Sequence, residues 1–155
     1  MDRTDAISKL TARGEQFELQ DITINGNVCK WFVNAPSTLP QMIKESISDQ
    51  TSYVYKTERY TFNEMYQRAS SLAAELIEKY GISPGDRVAI GMRNYPEWPI
   101  AFTAITSIGG IVVALNAWWE SDELEYGLNH TGTKVAIVDQ ERLDRIIGND
   151  RLNEM

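Results

Sequence analysis

The sequence predicts an α/β fold: part of a parallel sheet with β-α-β-α-β crossovers, preceded by β-hairpins near the N-terminus. From Arg87 onward, short apolar runs rich in β-branched residues alternate with helical segments. This order is typical of a parallel sheet joined by right-handed crossovers. Nearer the N-terminus, an Asn25-Gly26 pair separates two β-prone runs. It indicates a hairpin, because a type I′ turn needs positive φ at both of its central positions.

The N-terminal part is predicted to hold short elements only. In chain order these are a helix or tail at 2–13, strands at 17–24 and 28–33, a helix near 39–47, and strands at 53–55 and 59–61 around a turn at 56–58. We expect residues 1–51 to form an N-terminal tail, hairpin and short helix. Residues 52–155 are expected to form an incomplete α/β domain, because the sheet predicted there is small.

The helix after the second hairpin has the clearest boundaries. Thr61 and Glu64 have the spacing of a capping box, in which each side chain bonds the backbone amide of the other residue. Apolar residues then recur at helical spacing as far as Tyr80. Gly81 is predicted to end the helix at the C′ position, where a left-handed backbone favours glycine.

Three buried strands and three helices are predicted downstream. The strands lie at 87–92, 111–115 and 134–138, and the helices at 94–108, from 121 onward and at 140–147. Asn94 and Ser121 are predicted to cap the first two of these helices, since both residue types favour N-caps. The run at 111–115 suits a strand that is buried on both faces.

Composition excludes several classes of protein. The net charge of −7 without a basic stripe argues against nucleic acid as a partner. Cys29 is the single cysteine, so no intrachain disulfide is available, and a reducing cytoplasm is the expected location. The uncharged stretch 98–119 is long enough to span a bilayer. Proline, a glycine pair and polar residues interrupt it, so we expect a buried helix and strand and no transmembrane segment.

Candidate binding residues follow the predicted strands, because ligands of open parallel sheets bind beyond the carboxyl ends of the strands. Arg93 could contact a phosphate or remain a solvated charge. Asn116 could bind a ligand or only satisfy the turn after its strand. Of the adjacent Trp118 and Trp119, one is expected to pack on the core, and the loop could present the other to an apolar or aromatic ligand.

Common catalytic motifs are missing. With His130 as the only histidine and Cys29 as the only cysteine, a zinc set has too few ligands. A Ser-His-Asp triad would have to use His130, and no Gly-x-Ser-x-Gly elbow is present. We expect His130 to stabilise the negative end of its helix instead. Neither a Gly-x-Gly-x-x-Gly loop after a strand nor a Gly-x-x-x-x-Gly-Lys-Ser/Thr loop is present. These absences argue against a nicotinamide oxidoreductase and a P-loop hydrolase. No catalytic or metal-binding residue is assigned.

An ordered series of segments resembles a known enzyme family. The segments are YTFNE at 60–64, GDRVAI at 85–90, NYPEW at 94–98, GGIVVALN at 109–116 and EL at 123–124. Their order and spacing, from about Tyr53 to Asp139, resemble the N-terminal region of the adenylate-forming acyl-CoA synthetases, the AMP-binding superfamily. The variant LNAWW at 115–119 is most similar to fatty-acid and related carboxylate CoA ligases.

The resemblance implies a two-step ligase reaction in the full-length enzyme. A carboxylic acid, expected to be a fatty acid, attacks ATP to form an acyl-adenylate, and the thiol of coenzyme A then displaces AMP. ATP, Mg²⁺ and coenzyme A are therefore the implied cofactors. The family's phosphate loop, adenine-contacting motifs and catalytic lysine lie downstream of this region and have no match in residues 1–155. We expect this chain alone to be inactive and to bind none of the three tightly.

In relatives, the loop after the Leu-Asn strand end lies near the coenzyme A entry side. Here Asn116 is followed by Ala117-Trp118-Trp119, where some relatives have arginine or glycines, which favours apolar contact with pantetheine or an acyl group. The expected partner is the remainder of the same enzyme, and isolated apolar surface is expected to drive homo-oligomer formation. The alternative is a stand-alone, non-catalytic α/β binding module that uses the same strand-end loops.

Overall fold

The computed structural model describes residues 2–148 and confirms a mixed α/β fold. It divides into two compact units, of which the first ends at Thr38 and the second begins at Leu39. The boundary expected at residues 51 and 52 lies further along the chain and stays a prediction about domain organisation. Within residues 2–148, no helix is both long and apolar enough to cross a membrane.

The first unit contains one helix and one hairpin. Helix α1 (Arg3–Leu10) begins after Asp2, whose side chain accepts a hydrogen bond from the amide of Asp5. Strands β1 (Leu19–Ile24) and β2 (Asn27–Phe32) pair antiparallel. Asn25 and Gly26 between them have φ of 49° and 81°. Positive φ at both positions is the requirement of the type I′ turn, so the hairpin prediction is confirmed.

The second unit contains the remaining elements. They are α2 (Leu39–Glu45), β3 (Thr51–Tyr55), β4 (Glu58–Thr61), α3 (Phe62–Glu78), β5 (Arg87–Gly91), α4 (Glu97–Ser107), β6 (Ile111–Ala114), α5 (Ser121–Thr131), β7 (Val135–Val138) and α6 (Gln140–Ile147). Strands β3 and β4 form the second predicted hairpin. Its turn is shorter than expected, because Glu58 already belongs to β4 and Lys56 takes a positive φ of 52°.

Helix α3 has the predicted capping box but ends at Glu78, two residues before Tyr80. The Thr61 hydroxyl accepts from the amide of Glu64 at 3.1 Å, and the Glu64 carboxylate accepts from the amide of Thr61 at 2.8 Å. Gly81 has φ of 62° after the last turn. Its amide donates to the carbonyl of Ile77 at 3.1 Å, so the chain reverses while the helix end keeps a hydrogen-bond partner.

A parallel sheet in the order β6-β5-β7 organises the second unit. Alternate side chains of β5 point to opposite faces, as strand geometry requires. On one face, Val88 and Ile90 are buried in a cluster with residues of α3 and α4. On the other face, Ala89 packs in a second cluster with Leu124 and Leu128 of α5. The central strand is thus covered on both faces, and the loops that follow the strands lie at the carboxyl ends of the sheet.

Three local predictions were wrong. Helix α4 begins at Glu97 with Pro96 at its N-cap, so Asn94 does not cap it. Helix α5 is capped by Glu120, which forms a capping box with Glu123, so Ser121 is already helical. Ile111 and Ala136 are exposed, although both strands were predicted to be buried, because β6 and β7 each pair only with β5 among the described residues and are therefore outer strands.

Candidate functional site

Three loops come together at the carboxyl edge of the parallel sheet. They follow β5, β6 and β7, and a parallel sheet brings the carboxyl ends of its strands to one edge. The first loop carries Arg93, the second carries Asn116, Trp118 and Trp119, and the third carries Asp139. The structure therefore brings together the four binding residues predicted from the sequence. Whether they bind a ligand stays a prediction.

Arg93 and Trp118 form a direct pair across two of these loops. The guanidinium carbon of Arg93 lies 3.6 Å from the centre of the Trp118 ring. This is a cation–π contact on one side of a tryptophan that remains 69% exposed. The Arg93 side chain also reaches the first turn of α6, where its Nη2 lies 3.5 Å from the Glu141 carboxylate. Arg93 is consequently a fixed cation at the sheet edge and not a free solvated charge.

Asn116 shapes the turn that carries the tryptophan pair. Its side-chain oxygen accepts a hydrogen bond from the amide of Trp118 at 3.0 Å. Its backbone carbonyl accepts from the amide of Trp119 at 3.1 Å. An Asx turn of this kind sets the direction of the following residues. Of the two alternatives for Asn116, the structure shows the turn-forming role.

Trp119 packs inward, whereas Trp118 faces outward. Trp119 is partly buried against the cluster that contains Ala89, Leu115 and Leu124. The Trp119 ring packs against Gly127 of α5, and a Cβ atom added at Gly127 would lie 2.8 Å from Cζ3 of Trp119. The glycine thus makes room for the indole. The expectation that one tryptophan of the pair packs on the core is confirmed. Presentation of the other to a ligand stays a prediction.

A buried ion pair anchors the third loop. Arg142 is 0% exposed, and its Nη1 donates to both carboxylate oxygens of Asp139 at 2.7 Å. Asp139 also caps α6 by accepting from the amide of Arg142, and it accepts from the amide of Arg93 at 3.1 Å. Burial raises the pKa of Asp139, but these hydrogen bonds outweigh burial, so the net pKa is lowered. The carboxylate therefore remains ionised and links the first loop to the third.

Glu141 and Arg145 belong to the same edge and were missed by the sequence analysis. Arg145 Nη1 donates to the backbone carbonyl of Trp119 at 2.5 Å, and Nη2 donates to Glu141 at 2.8 Å. Arg145 Nη2 also lies 3.4 Å from the carboxylate of Glu120. Glu141 and Arg145 lie four residues apart on a predicted helix, and this spacing was sufficient to predict an ion pair between them. Nothing in the sequence indicated their partners from the other loops.

A separate cleft of about 450 Å³ lies at the carboxyl ends of β5 and β7. Tyr55 and Tyr95 meet edge to face there, with ring centres 5.8 Å apart. Met92 and Ile137 contribute apolar surface, and Asp139 contributes a carboxylate. Of the residues at the sheet edge described above, only Asp139 lines this cleft. Arg93, Asn116, Trp118 and Trp119 lie outside its lining.

The remaining candidate side chains carry no reactive arrangement. His130 lies in the last turn of α5 and stacks on Tyr126, with ring centres 5.1 Å apart. Cys29 is half-buried, and its thiol contacts only the carbonyl of Asn27, at 3.8 Å, among the contacts described. Within residues 2–148, no group of three or more histidine, cysteine or carboxylate side chains could hold a metal ion.

Comparison with known proteins gives a family match over most of the second unit. A family model described as AMP-binding enzyme matches residues 43–154. A long-chain-fatty-acid–CoA ligase of Escherichia coli O6:H1 is 34% identical over 104 residues, which cover 65% of this chain and 18% of the relative. The 4-hydroxybutyrate–CoA ligase 2 of Metallosphaera sedula is 28% identical over 118 residues, covering 76% and 21%. The chain therefore spans about a fifth of the length of these curated relatives.

Solved structures share the fold. The anthranilate CoA ligase AuaEII, in complex with anthranoyl-AMP, aligns with a TM-score of 0.68 at 24% identity, covering 72% of this chain and 22% of that chain. A protein described as a putative long-chain-fatty-acid CoA ligase from Rhodopseudomonas palustris aligns with a TM-score of 0.67 at 27% identity, covering 72% and 29%.

Proposed function

Because this chain belongs to the AMP-binding enzyme family, we propose that it is part of an ATP-dependent acid–thiol ligase that makes acyl-CoA. In the proposed reaction, a carboxylate displaces pyrophosphate from ATP to form an acyl-adenylate, and the thiol of coenzyme A then displaces AMP. The family match over residues 43–154 carries this proposal. The CoA ligases among the curated relatives support the choice of coenzyme A as acceptor.

The resemblance to the N-terminal region of an adenylate-forming acyl-CoA synthetase is confirmed by the family match and by the ligase relatives. The α/β fold with a small parallel sheet agrees with the solved neighbours. These two results establish the family and the fold. The activity of the complete enzyme, its substrate and its partners are inferred from them.

We propose a fatty acid as the substrate. The support is the 34% identity to a ligase whose name specifies long-chain fatty acids. Another relative is named for 4-hydroxybutyrate, a short polar acid. Rates of thioester formation with fatty acids of increasing chain length, compared with the rate for 4-hydroxybutyrate, therefore distinguish the two substrate classes.

Within the chain, we propose that the sheet edge borders the coenzyme A and acyl side of the active site. Trp118 offers the exposed face of an indole, which suits an apolar or aromatic group. Arg93 offers a guanidinium that suits a phosphate. Asn116 and Trp119 hold the loop in the turn that presents Trp118. No step of catalysis is assigned to these residues, and the reacting groups are expected from the rest of the enzyme.

ATP, Mg²⁺ and coenzyme A are proposed ligands of the complete enzyme. No cluster of metal-binding side chains lies within residues 2–148, so no Mg²⁺ contact is assigned to this chain. The cytoplasm stays the predicted location, on the grounds of a single cysteine.

The activity test compares the complete enzyme with the 155-residue chain. Each is incubated with ATP, Mg²⁺, coenzyme A and one acid, and pyrophosphate, AMP and thioester are measured separately. We expect acid-dependent formation of all three by the complete enzyme, and none by the chain alone. Turnover by the chain alone would refute its inactivity. A complete enzyme that forms no pyrophosphate with any acid would refute the proposed reaction.

A further inference from the structure

We propose that Glu141 is a positioning residue that holds Trp118 in its presented orientation, through Arg93 on one side and Arg145 on the other. The inference rests on the proposed role of Trp118 at the coenzyme A and acyl side. Glu141 itself is not among the residues that the sequence or the family resemblance pointed to. Its carboxylate is the point where Arg93 of the first loop meets Arg142 and Arg145 of α6.

The first step is the placement of the Glu141 carboxylate among three guanidinium groups. Its Oε2 lies 2.8 Å from Nη2 of Arg142 and 3.5 Å from Nη2 of Arg93. Its Oε1 accepts a hydrogen bond from Nη2 of Arg145 at 2.8 Å. One half-exposed carboxylate thus neutralises part of the charge of three arginines, which would otherwise repel one another at short range.

The second step leads from Glu141 to the exposed tryptophan. The Arg93 guanidinium lies 3.6 Å from the centre of the Trp118 ring. Among the described contacts of the Arg93 guanidinium, the hydrogen bond is the one that Nη2 donates to the Glu141 carboxylate. The Arg93 backbone is fixed separately, by its amide donating to Asp139. Glu141 therefore controls the direction of the side chain without controlling the loop that carries it.

The third step leads from Glu141 to the loop that carries both tryptophans. Arg145 Nη1 donates to the carbonyl of Trp119 at 2.5 Å. The hydroxyl of Ser121 donates to the backbone carbonyl of Arg145 at 2.9 Å, which ties the start of α5 to α6. The ion pair between Glu141 and Arg145 holds the Arg145 guanidinium in the orientation that reaches the backbone carbonyl of Trp119. The Glu141 carboxylate thus takes part in the contacts on both sides of the Trp118-Trp119 pair.

The test uses Glu141→Gln with Asp144→Asn as the matched control. Both changes remove one carboxylate from α6, but the Asp144 side chain bonds Gln140 and not an arginine. Arg93→Lys is the second variant. It keeps the positive charge and leaves the contacts of Glu141 with Arg142 and Arg145 in place, while it removes the planar group that stacks on Trp118.

The first readout is the acrylamide quenching of Trp118 in the complete enzyme. The Trp118 signal is obtained as the difference between each variant and the same variant that also carries Trp118→Phe. We expect Glu141→Gln and Arg93→Lys to increase this quenching, because the covered side of the indole becomes accessible. Asp144→Asn should leave it at the original value. Equal quenching in all three variants, or an equal increase in the control, would overturn the proposal.

The second readout is the kinetics of the complete enzyme. We expect Glu141→Gln and Arg93→Lys to raise the KM for coenzyme A or acid about fivefold, equivalent to about 1 kcal/mol. The kcat and the KM for ATP should stay within about twofold, a change of about 0.4 kcal/mol. A purely structural role would instead lower kcat and the melting temperature together, and that result would overturn the proposal.

Trp118→Ala separates the positioning role from the proposed function. If Glu141→Gln increases the quenching of Trp118 while Trp118→Ala leaves every KM unchanged, the positioning role stands and the binding role of Trp118 fails. If Trp118→Ala raises a KM while Glu141→Gln changes neither readout, the binding role stands and the positioning role fails.

Discussion

At the scale of single residues, Trp118 and Trp119 are adjacent in sequence but lie in different environments. The Asx turn of Asn116 directs one indole outward, where Arg93 covers it, and the other inward against α5. The sequence predicted that the pair would divide in this way. It did not predict which tryptophan packs, because that depends on Gly127, a residue of the following helix that has no sequence link to the pair.

Gly127→Ala tests the packing of Trp119. In an exposed helix position, glycine to alanine stabilises by roughly 1 kcal/mol. Here the new methyl group would lie 2.8 Å from the indole, so we expect destabilisation instead. Overpacking typically costs about 1–3 kcal/mol. Urea unfolding measures the change, with Asn129→Ala on the exposed side of α5 as the control. An increase in stability for Gly127→Ala would contradict the packing.

Asp86 gives the stability of the second unit a defined pH dependence. The Lys134 ammonium, 2.7 Å from the carboxylate, and the amide of Ser83 lower the pKa of Asp86. A pKa that is lower in the folded state adds stability above the unfolded value, and this stability is lost as the pH falls through the folded value. We therefore expect the free energy of unfolding to fall below about pH 4.

The matched variant is Asp86→Asn, measured by urea unfolding at neutral and acidic pH. It should be less stable than the original chain at pH 7, and the difference should shrink at about pH 3, where the unfolded carboxyl is protonated. A difference that is the same at both pH values would mean that the charge of Asp86 does not contribute.

At the scale of elements, the helix caps show where sequence patterns are sufficient. Thr61 and Glu64 were recognised because threonine is a preferred N-cap and glutamate follows at the required spacing. For α5, the sequence favours Ser121 as the cap, because serine is among the preferred N-caps. In the structure the cap is Glu120, which forms a capping box with Glu123. The Ser121 hydroxyl donates instead to the backbone carbonyl of Arg145.

Thr61→Ala tests the cap of α3. Losing a threonine cap typically costs about 1 kcal/mol, because a backbone donor at the helix end loses its partner. Ser70→Ala is the control in the middle of the same helix, where alanine has the higher helix propensity. We expect a lower free energy of unfolding for Thr61→Ala and no loss for Ser70→Ala, both measured by urea unfolding. Equal effects of the two changes would contradict the capping role.

The contacts between loops were the part that the sequence could not predict. Glu141 and Arg145 lie one helical turn apart, so their mutual ion pair follows from spacing alone. The contacts of Glu141 with Arg93, and of Arg145 with Trp119, join residues far apart in the chain. They exist because the parallel sheet brings three loops to one edge. Such contacts need the strand order, which hydrophobic patterns do not contain.

At the scale of the whole molecule, the parallel sheet and its crossovers were predicted, but the order of its strands was not. The order β6-β5-β7 places β5 in the centre. An apolar run such as 111–115 is expected in any strand of a covered parallel sheet, so the sequence did not distinguish the central strand from an outer one. The exposure of Ile111 is the consequence.

The exposed apolar side chains of the chain lead to a prediction about association. Ile111, Trp118 and Ile147 of the second unit are all exposed. Because exposed apolar surface favours association, we expect the isolated 155-residue chain to self-associate as its concentration rises, measured by sedimentation equilibrium. A monomer at every concentration that also melts cooperatively would favour the alternative, a stand-alone binding module.

The most direct test of the proposed site is the kinetics of Trp118→Ala in the complete enzyme, with Tyr126→Ala as a second exposed aromatic that lies outside the site. We predict that the KM for coenzyme A or for the acid rises about tenfold, equivalent to about 1.4 kcal/mol, in Trp118→Ala. The KM for ATP should remain unchanged, as should all constants of Tyr126→Ala. If Trp118→Ala leaves the KM for coenzyme A, acid and ATP unchanged, the sheet edge is not part of the binding site.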